Sequence, residues 1–142
     1  MTNYDFNFNV FGFGGAGTNI ILGFLEDDQK LNEMMKFFVV NTPQRDDKRV
    51  YPSFVEKIIL AELTNEIINK NLEEKIKQSN KAVFIAGLGG VAGTRLMSAA
   101  AEIAQRENVS CICMVYKPFT MEGKRRKAIA DDCCEKLVKF NV

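Results

Sequence analysis

The chain contains no histidine, which removes imidazole as general base, proton shuttle or metal ligand. Any chemistry would fall to carboxylates, lysines or backbone dipoles. Net charge is nearly absent as well: nineteen Lys and Arg stand against eighteen Asp and Glu, a formal +1. No global field then favours nucleic acid or an anionic membrane surface, so a ligand has to be recognised locally. No stretch approaches the roughly 20 apolar residues that span a bilayer. Met1 to Asp5 carry no basic cluster leading into an apolar run. The expected address is the cytoplasm or an organelle interior. The four cysteines, Cys111, Cys113, Cys133 and Cys134, lack the two separated CxxC knuckles of a zinc site. They read as reduced residues of a core or a helix, not as a metal or redox centre.

What is present is enough apolar material for one core. The 142 residues, 46% hydrophobic, have the length of a single domain over 1–142. Phe6, Phe8 and Val10 alternate with asparagines and run into Phe11 and Phe13, a strand that starts half buried and ends fully buried. Helix is expected over Thr18–Glu26. Lys36–Val40 reads as a second buried strand and Ile58–Leu60 as a short third. From Glu62 to Gln78, Leu63, Ile67, Ile68, Leu72 and Ile76 recur at about helical spacing with Glu and Lys between them. Lys81–Ala86 and Val109–Tyr116 read as strands. Thr94–Gln105 and Lys124–Val138 read as helices. Strands alternating with helices imply a parallel sheet in three layers, an α/β Rossmann-like arrangement with helices on both faces.

Two glycine-rich loops occupy equivalent places in this alternation. Gly12-Phe13-Gly14-Gly15-Ala16-Gly17-Thr18-Asn19 leaves a strand and opens a helix; Gly87-Leu88-Gly89-Gly90-Val91-Ala92-Gly93-Thr94 does the same. Glycines let backbone approach a ligand, and first-turn amides with the positive helix end attract phosphate. Either loop alone could be only a tight turn. Two at one sheet edge favour an oligophosphate between them. The first also fits G-x-G-x-x-G, which raises a dinucleotide-binding Rossmann domain as an alternative. That reading wants an acidic residue at the end of strand two, where Asn41 and Thr42 stand. A Walker loop is excluded, because Thr18 occupies the place of its lysine. Phosphate charge would then be met by amides and a magnesium ion.

A third segment, Lys117-Pro118-Phe119-Thr120-Met121-Glu122-Gly123-Lys124-Arg125-Arg126-Lys127, puts four cations on the first turn of a helix. They oppose its dipole at a cost of about 0.3–1 kcal/mol each when exposed. Arg126 could address ribose or base and Glu122 could accept from sugar hydroxyls. Lys124, Arg125 and Lys127 read equally as a solvated basic turn.

These residues resemble the tubulin and bacterial cell-division FtsZ family. VFGFGGAGTNII is similar to the first FtsZ nucleotide loop, FIAGLGGVAGTRL to the tubulin signature GGGTGTG, and KPFTMEGKRR to the FtsZ stretch KPFTFEGKRR. Asn41-Thr42 resembles the family's NTD turn. The resemblance implies strand order 3-2-1-4-5 and GTP or GDP as ligand. It places Gly14, Gly15, Ala16, Gly17, Thr18, Asn19 and Asn41 around phosphates and nucleoside. Gly89, Gly90, Gly93, Thr94 and Arg95 fall at the phosphate tail, and Glu122 and Arg126 at ribose or guanine. The pattern breaks at Val91, Ala92 and Arg95, where the family has Gly, Thr and Gly. Val91 resists a positive φ, Ala92 has no hydroxyl, and Arg95 adds bulk and charge. Pro43 replaces the aspartate of the NTD turn. Relative to the family, the central helix and the C-terminal domain with the acidic catalytic loop are absent from the chain. The resemblance therefore implies a nucleotide-binding module that docks on or caps FtsZ-type filaments, or a GTPase completed by a partner.

Overall fold

The computed structural model describes residues 8–27, 34–43, 51–118 and 123–140. Five strands and four helices alternate: β1 (Phe8–Phe13), α1 (Gly14–Asp27), β2 (Met35–Asn41), β3 (Val55–Ile59), α2 (Asn65–Lys77), β4 (Lys81–Gly87), α3 (Val91–Arg106), β5 (Ser110–Tyr116) and α4 (Lys124–Lys139). The expected elements are all found among the described residues; Phe6, placed in strand one by its alternation, lies outside them. All strands are parallel in the order β3-β2-β1-β4-β5. This is the α/β order 3-2-1-4-5 that the resemblance implies.

The sheet is built from strands apolar on both sides, as a parallel sheet with covered faces requires. In β1, Phe11 and Phe13 turn to one face and Val10 to the other, and all three are buried. Phe11 lies between Phe38 of β2 and Phe84 of β4, with ring centroids 4.8 and 5.5 Å away. Full burial of a side chain such as Phe11 is worth about 1.5–3 kcal/mol. On this face pack α2 through Ile68, Leu72 and Ile76, α3 through Leu96, Met97 and Ile103, and α4 through Ala130, Cys133 and Leu137. The alanines Ala99, Ala100, Ala101 and Ala104 let α3 settle closely among its neighbours. The opposite face is closed by α1, whose Ile21 and Leu25 meet Val10, Phe37, Val39 and Ile85.

The helices are punctuated by local chemistry. Thr64 caps α2, accepting from the Ile67 amide at 3.3 Å, while Glu66 in its first turn and Lys75 and Lys77 in its last complement the dipole. Inside the sheet, Asn9 Nδ2 donates to the Lys75 carbonyl at 2.9 Å, giving a partner to the C-terminal end of α2. The chain winds toward β3 on one side of β1 and toward β5 on the other. The carboxyl ends of β1 and β4 consequently flank a topological switch point, where open α/β sheets bind ligands.

Candidate nucleotide cleft

Both glycine loops pass directly into helix. α1 begins at Gly14 and α3 at Val91, earlier than their apolar patterns suggest, so helix N-termini stand immediately at the ends of β1 and β4. Gly14 has φ +71°, and a Cβ built on it would lie 3.3 Å from the Gly93 nitrogen. The two loops therefore approach so closely that a methyl group on Gly14 would crowd the Gly93 backbone. Gly17 is packed more tightly: a Cβ there would strike the Ile85 carbonyl oxygen and come within 3.0 Å of the Gly12 carbonyl carbon. It lets α1 close on the sheet.

Between the loops lies an open cleft of about 400 Å³, within the range of roughly 300–1,000 Å³ usual for small-molecule sites. The first loop lines it with Phe13, Gly14, Gly15 and Ala16; the second with Gly90, Val91, Ala92 and Gly93; and Tyr116, Lys117, Pro118 and Arg126 close the third side. Gly15 and Gly90 have nothing within 4 Å of an added Cβ, so both face open space. Neither α1 nor α3 has an acidic residue in its first turn, and α3 has no side-chain cap at Gly90. Two positive helix ends thus meet a cleft whose described lining holds two cations and no carboxylate. That electrostatic set attracts a polyanion. Glycine-lined walls and uncapped amides fit the phosphate tail of a nucleotide.

The site residues expected from sequence divide sharply. Gly14, Gly15, Ala16, Gly90, Gly93 and Arg126 come together on the cleft. Thr18 does not: it is fully buried, donating Oγ1 to the Gly14 carbonyl at 2.8 Å and accepting from Asn41 Nδ2 at 3.3 Å. Asn41 is buried too, and its Oδ1 has no hydrogen-bond partner. Gly17 and Asn41 thus sit behind the first loop, and Asn19 is exposed on α1. In the second loop, Thr94 Oγ1 accepts from the Gly89 amide at 2.9 Å and fixes the turn in which Gly89 holds φ +100°. Arg95 reaches away to hydrogen-bond Asn65 Oδ1 at the start of α2. Glu122 lies outside the described residues. Val91, expected to resist a positive φ, does not need one, because it opens α3 and stands 81% exposed. Sequence reasoning did not single out Tyr116 or Lys117 as lining; their signal was only their place at the end of β5.

The cysteines occupy a different region, on β5 and α4. All are free thiols. Burial pushes Cys133 up, with its Sγ 3.3 Å from Ser98 Oγ, while the hydrogen bond with Cys113 holds Cys111 below the usual thiol range and drives Cys113 upward. Among the described residues no group of three or more Cys, Asp or Glu could hold a metal ion. No described helix is long and apolar enough to cross a membrane.

No protein-family model matches the chain. It is 34% identical over 155 residues to Cell division protein FtsZ 1 of Pyrococcus furiosus and 29% identical over 145 residues to Cell division protein FtsZ of Buchnera aphidicola. These similarities cover 93% and 92% of this chain but 38% and 37% of the relatives, so the chain spans little more than a third of their length. The empty FtsZ dimer of M. jannaschii has a TM-score of 0.79 at 24% identity, over 94% of this chain and 42% of that one. The PhuZ201 filament follows at 0.62 and 15%, over 95% and 45%. The protofilament of TubZ from bacteriophage PhiKZ gives 0.56 and 11%, over 91% and 43%. With matching strand order and similarity over nearly its whole length, this chain has the tubulin/FtsZ-like fold.

Proposed function

We propose that the chain binds GTP or GDP in the cleft between its two glycine loops. The observation that carries this reading is the close approach of Gly14 to Gly93, which sets the N-termini of α1 and α3, the latter without a side-chain cap, on one opening lined by Lys117 and Arg126. First-turn amides of α1 and α3 would receive the phosphate tail. Lys117 and Arg126 would balance its charge. A magnesium ion would be carried by phosphate oxygens and water. Ribose and guanine would lie toward Asn19, Glu122 and Arg126. Thr18, Asn41, Gly17, Gly89 and Thr94 would shape the loops from behind, and Arg95 would hold α2 in place.

In this reading the chain is a nucleotide-side module that docks through the cleft face on an FtsZ-type filament and caps it. The similarity to FtsZ proteins over more than nine-tenths of this chain supports an FtsZ-type partner. Sedimentation of FtsZ polymer with substoichiometric chain tests capping: shorter polymers and less pelleted mass are expected, and unchanged length and mass refute it. A second reading, a GTPase completed by another polypeptide, draws on the absence of a carboxylate from the described lining. Turnover would then require an acidic group from outside and would emerge only on mixing with a partner.

A further inference from the structure

The second glycine loop is bonded and packed to the third wall of the cleft. The Leu88 amide donates to the Tyr116 carbonyl at 2.8 Å, so the loop leaves β4 still tied to the end of β5. One residue on, Gly89 is pressed against that wall. A Cβ built on it would lie 3.1 Å from the Arg126 carbonyl oxygen, 3.3 Å from Arg126 Cβ and 3.3 Å from Pro118 Cγ. Its amide is engaged within the loop, by Thr94 Oγ1 at 2.9 Å. Its φ of +100° is one that a side chain resists. Gly90 is the reverse: an added Cβ would meet nothing within 4 Å, and the residue opens α3 with no side-chain cap. Farther along α4, Cys133 Sγ donates to the Thr94 carbonyl at 3.8 Å and lies 3.3 Å from Ser98 Oγ. α4 is thus held against the second loop and α3 at two places, and Gly89 is the one beside the cleft.

We propose that Gly89 is a positioning residue for the nucleotide. It does not meet phosphate itself; it seats the first turn of α4 on the second loop, so that Arg126 is held at a fixed distance from the open N-terminus of α3. This inference rests on the nucleotide reading of the cleft. Phosphate charge is then met from two sides, by the α3 amides that follow Gly90 and by the Arg126 guanidinium. One glycine sets the gap between them. A larger residue has to widen that gap, because the atoms it meets are a backbone carbonyl, a Cβ and a proline ring, not the free end of a flexible side chain. A widened gap loosens the grip of both sides on one anion.

The test is calorimetry of the full 142-residue chain with GDP and magnesium, for the parent, Gly89→Ala, Arg126→Gln and the two combined. Arg126→Gln should weaken binding about tenfold through loss of a charge-assisted contact. Gly89→Ala should weaken it to a similar degree although Arg126 is intact. The combination should bind no more weakly than Arg126→Gln alone, because both changes remove one interaction. Thr94→Val deletes the acceptor that fixes the Gly89 turn and adds no bulk there, so it should lower affinity in the same way even where Gly89→Ala does not fold. Amide hydrogen exchange from Lys127 to Asp131, at the start of α4, is read on the nucleotide-free chain. It should quicken in Gly89→Ala and Thr94→Val and stay at the parent rate in Arg126→Gln. Parent affinity in the folded loop variants overturns the proposal and leaves the nucleotide reading standing. So do losses that add in the combination, and so does a loss with unchanged exchange in α4, which would make Gly89 a direct phosphate contact. A parent chain that binds no GDP sinks the nucleotide reading itself, and this assignment with it.

Discussion

Gly15 and Gly17 stand two positions apart on α1 and face opposite surroundings. Gly15 looks into open space on the cleft; Gly17 is pressed against the Ile85 carbonyl. Alanine separates the two roles. Gly17→Ala has to push α1 off the sheet and should cost about 1–3 kcal/mol, as overpacking does. Gly15→Ala should keep or raise stability by up to about 1 kcal/mol through helix propensity, while its methyl group weakens nucleotide binding. Urea denaturation and nucleotide titration of both variants check this, and equal stability would remove the packing role given to Gly17. These roles are only partly legible in the residues themselves. The glycine spacing announces a tight loop, but which glycine meets backbone and which meets solvent depends on β4, nearly 70 residues away. Thr18 and Asn41, separated by 23 positions, look equally available to a ligand in sequence, and only folding turns them toward each other. Arg95 reads as an intruding cation until the fold brings Asn65 to it.

At the scale of elements, the strands are the most readable part, because parallel strands buried on both faces leave near-continuous runs such as Phe37 to Val40 and Phe84 to Ala86. Helix starts are harder. α1 and α3 begin in glycine-rich loops, where propensity argues against helix and where no acidic or capping residue announces an N-terminus. Leaving Gly90 uncapped costs α3 stability and keeps its amides available. Gly90 has extended φ −86° and ψ 166°, which Asp adopts readily. Gly90→Asp should cap α3 and stabilise the fold by a few tenths to about 1 kcal/mol. The same carboxylate would stand where phosphate is proposed and should reduce nucleotide affinity at least about tenfold, since each 1.4 kcal/mol is a factor of ten. Opposed changes in melting temperature and affinity support a phosphate role for the α3 N-terminus; stabilisation with unchanged affinity contradicts it.

Over the whole molecule, sheet order decides where function can lie. Because the chain turns to β2 and β3 on one side of β1 and to β4 and β5 on the other, the carboxyl ends of β1 and β4 are neighbours, and their loops meet at Gly14 and Gly93. Sequence alternation alone implies a parallel sheet but not this order, which came from the resemblance of the loops. The third wall of the cleft is less legible, since Glu122 lies outside the described residues and the cations of α4 divide between Arg126 on the cleft and others on the exposed helix surface. The measurement that bears most directly on the central claim is isothermal titration calorimetry of the chain with GTP, GDP, ATP and NAD in the presence of magnesium. Saturable binding of GTP and GDP at one site per chain, weaker for ATP and absent for NAD, is the predicted result. Equal affinity for all four, or no heat with either guanine nucleotide, would contradict it.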